Sequence, residues 1–274
     1  MKIQPENCAR YETNPLIEVV AQFRFQPILA IGKEGPVAVQ EALADAGFPN
    51  LRKEEPASIS VTFRADSVQG AGAPNVPPPV LNSSGTIYHF ASPDFKQTFS
   101  ACATFVAFTT TSYNRWTDFQ EKLGKLANIF AQAYKPIVVN RVGLRYKDLI
   151  ERESLGLDGV SWGDLLNPIV SGIFSTDSFV DDMDELSVEQ QASQTLMTLH
   201  DCNLLLQSAL LRSTENDKQR AFLIDSDFFL ERSNGIDVPE SIQLLDTLHT
   251  NANSVFRKCI KEPLHAALHP VESK

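Results

Sequence analysis

Cysteine is sparse and unclustered in this chain. Cys8, Cys102, Cys202 and Cys259 stand far apart, with no C-x-x-C pair. That spacing excludes a zinc ribbon and argues against a disulfide framework, so the thiols read as buried or incidental. Glycine is missing where chemistry would need it. There is no Gly-rich phosphate loop, no G-x-S-x-G elbow and no H-E-x-x-H helix, and nothing in the pattern implies a cofactor or a metal. No apolar run approaches the roughly 20 residues of a membrane helix. Met1 to Asn7 also lacks the apolar centre of a signal peptide, so the expectation is a cytoplasmic protein without membrane contact. Basic residues are outnumbered, 24 Lys and Arg against 34 Asp and Glu, for a formal net charge of −10. An acidic field disfavours general nucleic-acid binding and suits a protein partner better.

What the chain does have is alternation. Pro15 to Phe25 places Ile17, Val19, Ala21, Phe23 and Phe25 on one face and Glu18, Val20, Gln22 and Arg24 on the other, as a strand does. Thr86–Ala91, Thr98–Ser112, Ala192–Leu211 and Gln219–Glu231 read as further strands, and Ser58–Phe63 as a shorter one. Ala65 to Gly85, rich in Pro and Gly, reads as a long insertion that is either a linker or a partner-contacting arm. Trp116, Phe119, Leu123, Leu126, Phe130 and Ala133 recur at helical steps, and so do Ile242, Leu245, Leu248, Ala252, Val255, Phe256 and Cys259. Asp237-Val238-Pro239-Glu240 supplies a capping box for the second helix. The expected fold is α+β: a curved antiparallel sheet with two long amphipathic helices, in pseudo-duplicated β-β-α halves. Residues 1–150 and 151–274 form those halves, packed as one globular unit. Long strands without edge protection also leave room for self-pairing into a homo-oligomer.

Candidate chemistry collects on one strand, Val138 to Asp148. Val142, Leu144 and Tyr146 share one face; Arg141, Arg145 and Lys147 share the other. With Glu18, Gln22 and Arg24 from the first long strand they would line a sheet, and guanidinium groups recognise carboxylate or phosphate bidentately. A structural ion pair between Glu18 and an arginine is the alternative. Three other groupings carry less. His265 and His269 stand four apart without a third ligand at a known spacing. His200-Asp201-Cys202 joins a base, an acid and a thiol in letters only. Asp181-Asp182-Met183-Asp184-Glu185 lacks the spacing of a calcium loop.

Three segments together resemble a known group: Pro15-Leu16-Ile17-Glu18-Val19-Val20 with Arg24-Phe25, Tyr113-x-x-Trp116-x-x-Phe119, and Arg141-Val142-Gly143-Leu144-Arg145-Tyr146. The chain resembles, over residues 11–260, an uncharacterised and sporadically distributed bacterial family marked by those segments. Lys147-Asp148 departs from it, since the family pattern has Asn in the second place. The resemblance implies an accessory gene product, such as a component of a phage-defence or toxin–antitoxin-like system, and a role for Glu18, Arg24, Arg141 and Arg145. It brings no activity with it. The expected function is therefore non-catalytic binding of another protein, or capture of a small anionic ligand such as a nucleotide by the arginine strip.

Overall fold

Two-residue alternation along long strands, interrupted by two amphipathic helices, dictates one sheet with one covered face. A computed structural model describes residues 10–55, 85–135, 137–175, 184–212 and 219–271. The expected Ser58–Phe63 strand, most of the Ala65–Gly85 insertion, and Asp181 and Asp182 lie outside the described residues.

The fold is α+β. Among the described residues nine strands make one open antiparallel sheet in the order β3-β4-β5-β6-β2-β7-β10-β9-β8. Their ranges are β2 (Leu16–Phe25), β3 (Asn50–Glu54), β4 (Ile87–Ala91), β5 (Gln97–Ala101), β6 (Phe105–Thr110), β7 (Val139–Glu151), β8 (Ala192–Thr198), β9 (Asn203–Arg212) and β10 (Arg220–Ile236). A separate two-stranded ribbon joins β1 (Arg10–Tyr11) to β11 (Pro270–Val271). Two long helices, α3 (Trp116–Ala133) and α6 (Val238–Cys259), pack on one side of the sheet. Short helices α1 (Leu29–Glu34), α2 (Gln40–Asp45), α4 (Trp162–Leu165), α5 (Pro168–Ser171) and α7 (Glu262–Ala267) accompany them among the described residues, with several 3-10 turns. Among the described residues no helix is long and apolar enough to cross a membrane.

The internal repeat is deeper than the β-β-α pattern in the sequence. One half runs β2, α1, α2, then the meander β3 to β6 returning to lie beside β2, then α3. The other runs β7, α4, α5, then β8 to β10 returning to lie beside β7, then α6. Because β2 and β7 pair antiparallel at the centre, the topology has a pseudo-twofold axis through that pair. The second repeat therefore opens at β7, ahead of residue 150.

The helix-facing core explains the helices. Phe119, Leu123, Leu126, Ala127 and Phe130 of α3 are buried against Phe23, Phe25, Phe99 and Phe108 of the strands. Each such side chain contributes about 1.5–3 kcal/mol when fully removed from water. Asp237 caps α6, its carboxylate accepting from the Glu240 backbone N–H at 2.8 Å.

Two expected strands are hairpins instead. Thr98–Ser112 folds back at Cys102–Thr104, where the Cys102 N–H donates to the Phe105 carbonyl and the Cys102 sulfur accepts from the Thr104 N–H. Ala192–Leu211 folds back at Leu199–Cys202, closed by the Leu199 N–H on the Cys202 carbonyl at 2.8 Å. Neither turn contains Gly or Pro, which is why the alternating pattern ran through both.

Candidate functional site

The arginine strip lies on the sheet face away from the helices, and most of its charges meet opposite charges there. Arg145 donates from Nε to Asp225 Oδ1 at 2.7 Å and from Nη2 to Oδ2 at 2.5 Å, a bidentate pair from β7 to β10. Arg141 donates to Asp227 Oδ2 at 3.1 Å and lies over the Phe229 ring at 4.5 Å. Lys147 meets Glu18 at 2.5 Å. Burial opposes the charge on Arg145, but its hydrogen bond and attraction to Asp225 outweigh that and raise its pKa. Gly143 sits between the two arginines on the same face; a Cβ there would lie 2.8 Å from Arg141 Nη1, so the glycine leaves the guanidinium its room. Arg24 is different: it donates from Nε to Gln22 Oε1 at 2.9 Å and meets no carboxylate among the described residues.

The opposite face of β7 builds a cavity of about 640 Å³ at one end of the helix–sheet interface. Its floor is Tyr146 and Asp148 of β7 with Ser226 of β10. Tyr113, Trp116 and His249 line one wall, and Tyr11, Leu16 and Phe256 the other. Arg10, Arg115 and Arg257 stand at its rim. The wall owes its shape to segments that looked unremarkable as sequence. The β1–β11 ribbon closes across the end of the layer, and the Tyr11 hydroxyl meets His265 Nδ1 at 2.9 Å. His269 contacts Thr13 at 3.3 Å in the same closure, so the histidine pair fastens this ribbon.

The polar groups of the cavity are held in order. The Trp116 indole N–H donates to Asp246 at 2.7 Å, and its ring stacks on His249 at 4.3 Å with 7° between planes. His249 Nδ1 lies 2.7 Å from the Tyr146 hydroxyl, and Nε2 lies 3.3 Å from the Asn253 amide nitrogen. With that amide donating to Nε2, the ring proton sits on Nδ1. Burial depresses His249 to about 4, against a smaller opposing effect of Asp246, so the imidazole is neutral at pH 7. Burial raises Tyr113 to about 12 and Tyr146 well above its ordinary value. These aromatics present neutral hydrogen-bonding groups and flat faces.

Asp148 stands apart from all of them. It is 5% exposed, lines the cavity, and among the described residues nothing hydrogen-bonds or pairs with its carboxyl. Burial, with a smaller contribution from Asp225, pushes it up to about 8. A buried polar group without a protein partner, facing empty space, is the signature of a group kept for a ligand.

No protein-family model matches the chain, and no curated protein matches it. His200-Asp201-Cys202 does not converge with it: the Cys202 thiol is buried, contacts Asn251 at 3.5 Å, and burial pushes it up to about 11. Sequence reading found Tyr113, Trp116 and Tyr146 as recurring or core residues and passed over Asp148 and His249. An aspartate at a core-facing position of β7, in step with Val142, Leu144 and Tyr146, was the available signal.

Proposed function

We propose that this protein is a small-molecule binder whose ligand enters the cavity over Asp148. The ligand class that fits is a flat, nitrogen-bearing ring with an anionic tail, as in a nucleotide. The ring would stack beside Trp116 and Tyr113 and present a hydrogen-bonding edge to Asp148, and the anionic end would reach Arg10 and Arg115 at the rim. The observation that carries this reading is the unpartnered, buried Asp148 carboxyl. Relative to the expectation from sequence, the anionic ligand is retained and its principal site moves from the arginine strip to the other face of the same strand. The accessory role that the family resemblance implies remains part of the reading.

Trp116 gives a direct test. The chain has two tryptophans, and Trp162 is fully buried, so a ligand stacked in the cavity alters the emission of Trp116. Titration with a panel of nucleotides is expected to give a saturable change in the wild type that Asp148→Ala weakens by about tenfold or more. A panel-wide lack of response, or an Asp148→Ala variant that binds as the wild type does, overturns the reading.

A protein partner is supported by a separate observation. Among the described residues the two outermost strands differ: β3 carries Arg52, Lys53 and Glu54, whereas β8 carries no charge and leaves Leu196 66% exposed. Charged edges resist added strands and uncharged ones accept them. Addition of a partner strand, or of a second copy, at β8 would be blocked by Leu196→Pro, at a position whose N–H points away from β9. Light scattering of the wild type and that variant would reveal a change in assembly state.

A further inference from the structure

Arg24 and Arg141 are direct cross-strand neighbours on β2 and β7. Like charges placed so are destabilising unless something lies between them. Arg141 has Asp227; Arg24 shares the Gln22 amide oxygen, which also accepts from Arg141 Nη1 at 3.4 Å, and its terminal nitrogens meet no acceptor among the described residues. The two guanidinium groups open onto a second cavity, of about 510 Å³, on the face away from the helices. Arg232, Asn140, Thr104 and Ser233 add donors around it, and Phe105 gives it an apolar side. The acidic groups facing it are Asp227, already bound to Arg141, and the exposed Glu231. Three guanidinium groups against two carboxylates leave one positive charge in excess.

We propose that this basin binds the phosphoryl group of a small phosphorylated compound, with Arg24 and Arg141 straddling it and Arg232 closing over it. Paired strands lie about 4.8 Å apart, so one tetrahedral oxyanion can accept from both opposed guanidinium groups at once. The bound dianion would replace mutual repulsion with two charge-assisted contacts. Burial and the neighbouring Arg141 already lower the pKa of Arg24, the electrostatic state of a cation lacking its counter-ion. This site is independent of the cavity over Asp148, being on the other face of the sheet.

The test is thermal unfolding of the full chain in inorganic phosphate against potassium chloride of equal ionic strength. The wild type is expected to gain stability with phosphate in a saturable way. Arg24→Gln is expected to lose that gain while melting in chloride at or above the wild-type temperature, because the substitution removes a repulsion. Arg232→Gln, an exposed change, is expected to weaken the phosphate response by about tenfold. Arg115→Gln, at the rim of the first cavity, is expected to leave it intact. The proposal is overturned by an absent phosphate response in the wild type or by a response that survives Arg24→Gln. It is equally overturned if Arg115→Gln abolishes the response, or if Arg24→Gln melts well below the wild type in chloride, which would make Arg24 a structural residue.

Discussion

Asp225 and Asp148 make a natural controlled comparison. Both are buried, at 1% and 5% exposure, and they lie one register step apart across the β7–β10 pair, on opposite faces of the sheet. Asp225 receives two hydrogen bonds from Arg145. Asp148 receives none among the described residues and faces a cavity instead. Equal burial thus has two meanings. Where the countercharge is supplied within the chain, the group belongs to the architecture. Where it is withheld beside empty space, the group is available to a ligand, and until one arrives it is held largely in its neutral form at pH 7.

Breaking the paired member should give the largest effect. Arg145→Met leaves Asp225 buried without a countercharge, and removal of one partner from a buried pair costs about 3–5 kcal/mol. Urea unfolding followed by circular dichroism is the measurement. Coupling the change to Asp225→Leu should recover most of the loss, since the uncompensated charge goes with it. A single variant as stable as the wild type would mean that the Arg145–Asp225 contact is not structural, and the comparison would collapse.

The unpaired member should respond in the opposite sense, and through pH. The folded-state pKa of Asp148, about 8, lies above the unfolded value near 3.8. Between those values the folded chain binds the extra proton, so this group's contribution to stability is full below about pH 4 and is lost as pH rises through 8. Asp148→Asn removes the titration. The variant is therefore expected to lose less stability than the wild type between pH 6 and 9, and at pH 9 to be the more stable by on the order of 2 kcal/mol. Melting curves at matched ionic strength decide this; identical pH profiles would mean that Asp148 ionises freely and is not the withheld group described above.

The same contrast separates what the sequence made legible from what it did not. The α+β class, the two long helices and the central strand followed from periodicity, because burial of one face imposes a repeat that can be read in letters, and the Asp237 cap from its local box motif. The pairing of Arg145 with Asp225 did not, since it depends on β7 lying beside β10, a neighbour 80 residues away. The cavity depends on more distant relations still. Tyr11 approaches Phe256 and His265, and Trp116 approaches Asp246 and His249. None of these contacts has a local signature. The two unrecognised hairpins have another cause: Cys102-Ala103-Thr104 and His200-Asp201 make tight turns with residues that do not announce them.

The third charged position of β7 offers the smallest effect and sets the scale for the other two. Lys147 and Glu18 are direct cross-strand neighbours, whereas Arg145 reaches diagonally to Asp225 on the same sheet face, and the side chains of the first pair are 26% and 27% exposed against 19% and 1%. Water reaches both ions, and a lysine ammonium is a point charge without the planar fork that fixes a carboxylate. Glu18→Gln is accordingly expected to cost less than about 1 kcal/mol and to lose even that difference in high salt. Urea unfolding at low and high ionic strength would measure it. A loss as large as that of Arg145→Met would show that position in the sheet, rather than burial and geometry, sets the worth of these pairs, and the distinction between Asp225 and Asp148 would then rest on the cavity alone.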